Sequence, residues 1–248
     1  MKRPTIQLVS GGLLALLLLV ACSDGVQTAG RDGGTFLLLY EEHESGVEPY
    51  RTRIIVTPQW VRMDDGAPAG DYLLYDRRER VIYSVAHEDR SILVIPYRKV
   101  EGEPPLPLRI DATLERGKSF PAVEGVEPHH YRLLVNDRVC SQVVAAKGLL
   151  PGAVAALREF RRTLAGQHAE NLGKTPVEML DPCFLSIHVY APGRNLQYGL
   201  PLEEWDDSGY GRSLVDYRRD YVADPRLFQL PEGYLRQTLS ADGMAPMG

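Results

Sequence analysis

The chain has 248 residues, 44% hydrophobic and 25% charged, with 28 Lys plus Arg against 33 Asp plus Glu. This is ordinary globular composition at a length suited to one large domain or two small ones, and it excludes collagenous and low-complexity chains. The formal charge of -5 is spread along the sequence, so a basic footprint for a phosphate backbone is absent and nucleic acid is not an expected partner.

At the start, Lys2 and Arg3 precede an apolar run from Leu13 to Val20 that ends at Ala21 and Cys22. A charged flank before a short apolar stretch is a secretory signal rather than a spanning helix. The segment Leu19-Val20-Ala21-Cys22 resembles the lipobox of bacterial lipoproteins, in which cleavage precedes the Cys and its sulfur carries diacylglycerol. The resemblance implies a signal peptide over 1–21 and a lipidated Cys22. In that family an Asp directly after the Cys retains the protein in the inner membrane; here the residue is Ser23, so the resemblance implies the outer membrane, facing the periplasm. Residues 22–34 then read as the lipidated Cys and a flexible tether, so the membrane is a partner through lipid alone.

The mature chain opens with two expected strands, Thr35 to Glu42 (TFLLLYEE) and Tyr50 to Thr57 (YRTRIIVT), joined by a turn at Glu44-Ser45-Gly46, with His43 a solvated turn residue. Gln59 to Met63, Asp71 to Tyr75, Val81 to His87 and Ser91 to Tyr97 follow at intervals of about ten residues, separated by charged turns, the signature of an antiparallel meander. In Val81 to His87, Val81, Tyr83 and Val85 share one face and Ile82, Ser84 and Ala86 the other. Both faces carry apolar groups, so cover is needed on more than one side.

Three prolines make Glu101 to Pro107 a loop. Weaker strands are expected at Leu108 to Leu114 and Tyr131 to Val144, the second bent at Asn136-Asp137. From Pro151 to about Gln167 the spacing predicts a helix, with Leu150, Val154, Leu157, Phe160 or Arg161, and Leu164 on its apolar stripe and Arg158, Glu159 and Arg162 off it. A second helix starts with Asp181 as N-cap and Pro182 at the first position and runs to about Tyr190; a strand through Cys183 to Tyr190 is the competing reading. Once Cys22 is assigned to lipid, Cys140 and Cys183 remain as an even pair in an oxidising compartment, which predicts a disulfide.

The strands reading RIIVTPQWVRMDD and DYLLYDRRERVIYSVAHEDRSILVIPY, with Gly199-Leu200-Pro201-Leu202 and the closing Asp224-Pro225-Arg226-Leu227-Phe228-Gln229-Leu230-Pro231-Glu232-Gly233-Tyr234, resemble periplasmic proteins with the LolA/LolB-like fold, particularly the DUF4412-like group. The resemblance runs from about Thr35 to Gln237. It implies a mainly β chain with helices, an α+β fold in which a curved antiparallel sheet forms an unclosed half-barrel with helices covering its concave face. A single domain is expected over 35–239, with a disordered tail over 240–248.

Motifs for nucleophilic elbows, zinc proteases, P-loops and dinucleotides are absent from the sequence, so no catalytic residue and no cofactor are expected. His129-His130 with Glu124 and Glu127 is a poor metal set, because adjacent residues of an extended segment point to opposite faces. Glu203, Glu204, Asp206 and Asp207 around Trp205 read as a solvated turn, and no metal is expected. Trp60, Leu157 and Phe160 are the candidate lining of an apolar cavity. The expected function is a non-enzymatic periplasmic lipoprotein that binds or senses an apolar, lipid or acyl ligand in envelope maintenance. The alternative is a structural or regulatory lipoprotein that docks another envelope protein and has no ligand.

Overall fold

A computed structural model describes residues 34–172, 175–240 and 243–246. The signal peptide and Cys22 lie outside the described residues, as does all of the tether except its last residue, Gly34. Thirteen strands form one mixed sheet in the order β13-β12-β6-β5-β4-β3-β2-β1-β11-β10-β9-β8-β7, and its edges, β13 and β7, do not meet.

The hairpin β1 (Phe36–Glu44) and β2 (Val47–Val56) turns at Ser45-Gly46. His43 therefore belongs to a strand, paired with Gly211, rather than to the turn. The meander follows the alternation in the sequence: β3 (Trp60–Asp64), β4 (Tyr72–Asp76), β5 (Val81–Ala86) and β6 (Ser91–Pro96) pair antiparallel in order. Next come β7 (Ile110–Leu114), β8 (His129–Val135) and β9 (Arg138–Ala146). Asn136-Asp137 is a hairpin turn and not a bend: both residues have positive φ, 51° and 65°, the backbone a two-residue hairpin demands. Cys140 is the extra residue of a β-bulge against Leu133 and Leu134. A bulge re-aims its side chain out of the pleat. The chain returns to the sheet with β10 (Leu200–Asp206) and β11 (Gly211–Arg218), and ends with β12 (Leu235–Ser240) and β13 (Gly243–Pro246). Within the stretch expected to be a disordered tail, β13 pairs antiparallel with β12, and β12 runs parallel to β6.

Helix α1 (Pro151–Leu172) packs on one face of this sheet. Its buried contact is wider than the predicted stripe, because Ala153, Ala156, Thr163 and Gly166 are buried together with Leu157 and Phe160. Small residues let the helix approach closely: a side chain at Gly166 would collide with the Arg98 carbonyl. The helix meets Phe36, Leu38, Tyr40, Ile54, Val56, Val61, Tyr75, Ile82 and Ile95 in the main core. The Arg77 guanidinium grips Glu159 with two bonds of 2.7 and 3.0 Å, so a residue off the apolar stripe fastens the helix to the turn after β4.

The opposite face of β3 to β6 is covered by the C-terminal segment. Pro225–Phe228 forms a 3-10 turn capped by Asp224, and Phe228, Leu230 and Tyr234 pack on Tyr72, Leu74, Val85, Ile92 and Val94. Arg62 donates to the Leu227 carbonyl at 2.7 Å and Tyr72 to that of Gln229 at 3.2 Å. Thus Ile82 and Val85, on opposite faces of one strand, reach two different cores.

Candidate functional site

The second predicted helix begins where its signals stand. The Asp181 side chain accepts from the Cys183 amide, Pro182 follows the cap, and α2 (Pro182–Phe184) continues as a π-helical stretch over Leu185–Tyr190. A 3-10 segment, Arg194–Tyr198, leads into β10. Cys183 is bonded to Cys140, with Cα atoms 5.3 Å apart, so the bulge in β9 is stapled to the helical layer. At Gly199, with φ 126°, a side chain would strike the backbone of Ala146 and Lys147, which leaves glycine as the fitting residue.

Beneath this layer lies a polar row set by strand register. Glu42 of β1 pairs with Arg212 of β11, and Arg212 with Glu204 of β10. Residues opposite one another share a face, so the three side chains stand beside Tyr40 on the face that meets α1. The Arg212 guanidinium binds Glu204 through Nε at 2.5 Å and lies 4.5 Å from the Tyr40 ring centre. Burial opposes its charge, but Glu204 and the tyrosines around it raise its pKa. Asn195 donates to the other oxygen of Glu204. Glu42 accepts from the Tyr210 hydroxyl at 3.1 Å and more weakly from Tyr50, while Tyr40 donates to the Pro201 carbonyl at 2.9 Å. Burial raises the pKa of Tyr40 and of Tyr210.

Glu203 to Asp206 therefore form a strand and not a solvated turn. The Glu204 side chain is only 12% exposed because a guanidinium eight residues away neutralises it across the β10–β11 hairpin. Asp206 caps the connection by accepting from the Ser208 and Tyr210 amides, and the exposed Asp207 pairs with Arg138.

Two cavities open onto this row. One, of about 230 Å³, lies between α1 and the sheet and is lined mainly by Ile54, Met63, Leu73, Leu157, Phe160 and Leu164, with Glu42 and Arg212 also on its wall. The other, of about 100 Å³, takes in His188, Arg194, Asn195 and Glu204 beside Leu133, Ile187 and Trp205. Arg161 lines both. Burial, then the nearby Arg212 charge, lowers its pKa. His188 meets His168 edge-on, with ring centres 5.4 Å apart, and burial, then His168 and Arg161, lowers its pKa to about 4. Histidine shifted so far is neutral at pH 7.

Leu157 and Phe160 line the larger cavity, and Phe160 meets the Tyr75 ring edge-on at 5.9 Å. Trp60 does not join them: it packs with Tyr72 and Phe228 on the far face of the sheet. The reason is its place in β3, one residue before Val61, which faces α1. His130 is buried between Phe120 and Trp205 and bonds Gln142 at 3.0 Å, while His129 is exposed. No group of three or more His, Cys, Asp or Glu is placed to hold a metal ion among the described residues, and no helix there is long and apolar enough to cross a membrane. Sequence reading missed Glu42, Arg194, Glu204 and Arg212 as site residues. The one available signal was Arg161, at the edge of an otherwise apolar stripe.

The fold is an unclosed mixed β-sheet carrying helices on one face. No family model matches the chain, and no curated protein matches it. Two solved structures of PNGF-II, in C2 and P21 space groups, are similar at TM-scores of 0.41 and 0.40, with 10% and 8% identity over 83% of this chain. The chain spans 31% and 32% of the length of those structures.

Proposed function

We propose that this chain is a non-enzymatic, outer-membrane lipoprotein whose periplasmic domain binds or senses an apolar ligand with an acyl chain. In this reading Cys22 carries the lipid anchor, and 35–239 form one LolA/LolB-like domain, an unclosed half-barrel whose concave face is covered by α1. The observation that carries the reading is the cavity of about 230 Å³ lined by Ile54, Met63, Leu73, Leu157, Phe160 and Leu164. Protein interiors pack as densely as organic crystals, with few voids larger than a water molecule. A partly open pocket of this size against such a packed core, walled largely by aliphatic and aromatic side chains, suits an apolar guest.

Native mass spectrometry of the protein after mild extraction tests the binding role. Added mass that matches an acyl-containing molecule is expected, and Leu164→Trp, which fills the chamber, should diminish it. Protein that emerges free of such mass and binds no apolar probe would overturn the ligand reading and leave the envelope-docking alternative. The anchor has its own test: Cys22→Ala should leave an uncleaved or mislocalised precursor. A variant still processed and recovered with outer membranes would refute lipidation at this residue.

A further inference from the structure

The larger cavity has a guanidinium, that of Arg161, among its mainly apolar lining residues. Arg161 follows Phe160 in α1, and with Tyr210 it lines both this cavity and the smaller one. Among the described residues Arg161 forms no ion pair: its charged neighbours are Arg212, Glu204 and Glu42, none of them bonded to it. Those neighbours are engaged elsewhere, Glu204 by Arg212 and Asn195, and Glu42 by Tyr210 and Tyr50. Arg194, on the wall of the smaller cavity, is in a similar condition. Its terminal nitrogens donate to the carbonyls of Leu134 and Asp111 and to the Ser186 hydroxyl, its buried Nε has no acceptor, and no carboxylate pairs with it among the described residues.

Burying a cation without an anion is costly, and a guanidinium does not escape the cost by losing its proton near neutral pH. One such group on the wall of the larger cavity, and a second in the smaller cavity that Arg161 also lines, would be relieved by an anion that arrives with the guest. A guanidinium also offers a planar, two-pronged donor set that matches a carboxylate or a phosphate. We propose that Arg161, assisted by Arg194, is the headgroup anchor of an anionic amphiphile, whose acyl chain occupies the chamber beside Leu157 and Phe160. This inference rests on the apolar-ligand reading above and adds the charge class of the ligand to it.

The test is calorimetric titration of the full-length protein, kept in solution with amphipol, with decanoate, decyl phosphate and decanol at pH 7.5, against empty amphipol. At least one anion should bind about tenfold more tightly than decanol, a difference of about 1.4 kcal/mol. The stronger of the two anions identifies the headgroup as carboxylate or phosphate. Arg161→Gln should abolish the preference while leaving decanol affinity within about twofold, and Arg161→Lys should retain part of it. In the absence of ligand, Arg161→Gln should unfold at the same or a higher denaturant concentration, because it removes a cation to which no carboxylate is bonded; a merely structural arginine would give a lower midpoint. Equal affinity for the anions and decanol, or a preference that survives Arg161→Gln, would overturn the headgroup role alone. Failure of all three probes to bind would overturn the apolar-ligand reading with it.

Discussion

Asp64 shows how a charged residue is kept inside this protein. Its side chain is only 1% exposed, yet Arg53 reaches it with bonds of 2.7 and 2.9 Å and Arg62 with one of 2.5 Å. Burial alone would raise the carboxyl pKa, but the two guanidiniums outweigh it and hold the group below the usual carboxylate range. A carboxylate depressed in this way contributes stability that is present above its unfolded pKa of about 4 and is lost as the pH falls through the lower folded value. Asp64→Asn should cost about 3 to 5 kcal/mol at pH 7, since Arg62 would be left buried without its anion. Urea midpoints of parent and variant should converge as the pH drops from about 4 toward 2. A gap that stays constant over that range would mean that the carboxylate charge is not what matters.

At the scale of the element, the closing segment acts as a cover. Its 3-10 turn and the residues up to Tyr234 shield the side of β3 to β6 that α1 cannot reach. The cover is held by polar pins as well as by apolar contact: the Tyr234 hydroxyl meets His87 Nδ1 at 2.9 Å, and the Leu235 amide donates to the Arg90 carbonyl. Tyr234→Phe should lower stability by about 1 kcal/mol, the net worth of one such bond. A chain that ends at Ala223 should do more, exposing Trp60, Tyr72 and Ile92 together; a red-shifted tryptophan emission and increased dye binding are expected. Unchanged emission would show that the segment is an appendage and not part of the core.

Across the whole molecule, one sheet of thirteen strands has to be covered on both faces by few helices. Open sheets of more than about ten strands curl or split unless something holds them. Here α1 spans the β1 to β6 half, while the short helices between Pro182 and Tyr198 sit on the β8 to β10 half. The Cys140–Cys183 bond ties that second half to its helices, with Val135, Leu108 and Ile187 around it. Cys140→Ser with Cys183→Ser should therefore cost about 2 to 4 kcal/mol, by relaxing a closed loop of roughly 44 residues in the unfolded chain. The denaturant midpoint of the parent should fall to that of the double variant on reduction. Two alkylatable thiols in native protein purified from the envelope would contradict the bond.

The sequence by itself determined the local features whose causes are local. The four strands of the meander appear within a residue or two of their places because period-2 alternation and charged turns are properties of short segments. Asp181 and Pro182 begin a helix because a cap and its first residue are neighbours in the chain, and Cys140 and Cys183 were an even pair before they were seen to touch. The tertiary structure alone decided which face is which. Alternation says that Trp60 and Val61 point apart, but α1 and the C-terminal segment, about a hundred residues or more further along, settle which of them meets the helix. It also decided the site. Glu204 reads as solvated wherever its neighbours are acidic, and becomes a largely buried anion only when register sets Arg212 between it and Glu42, a residue of the first strand. Charge burial depends on partners brought from a distance, and no local pattern encodes them.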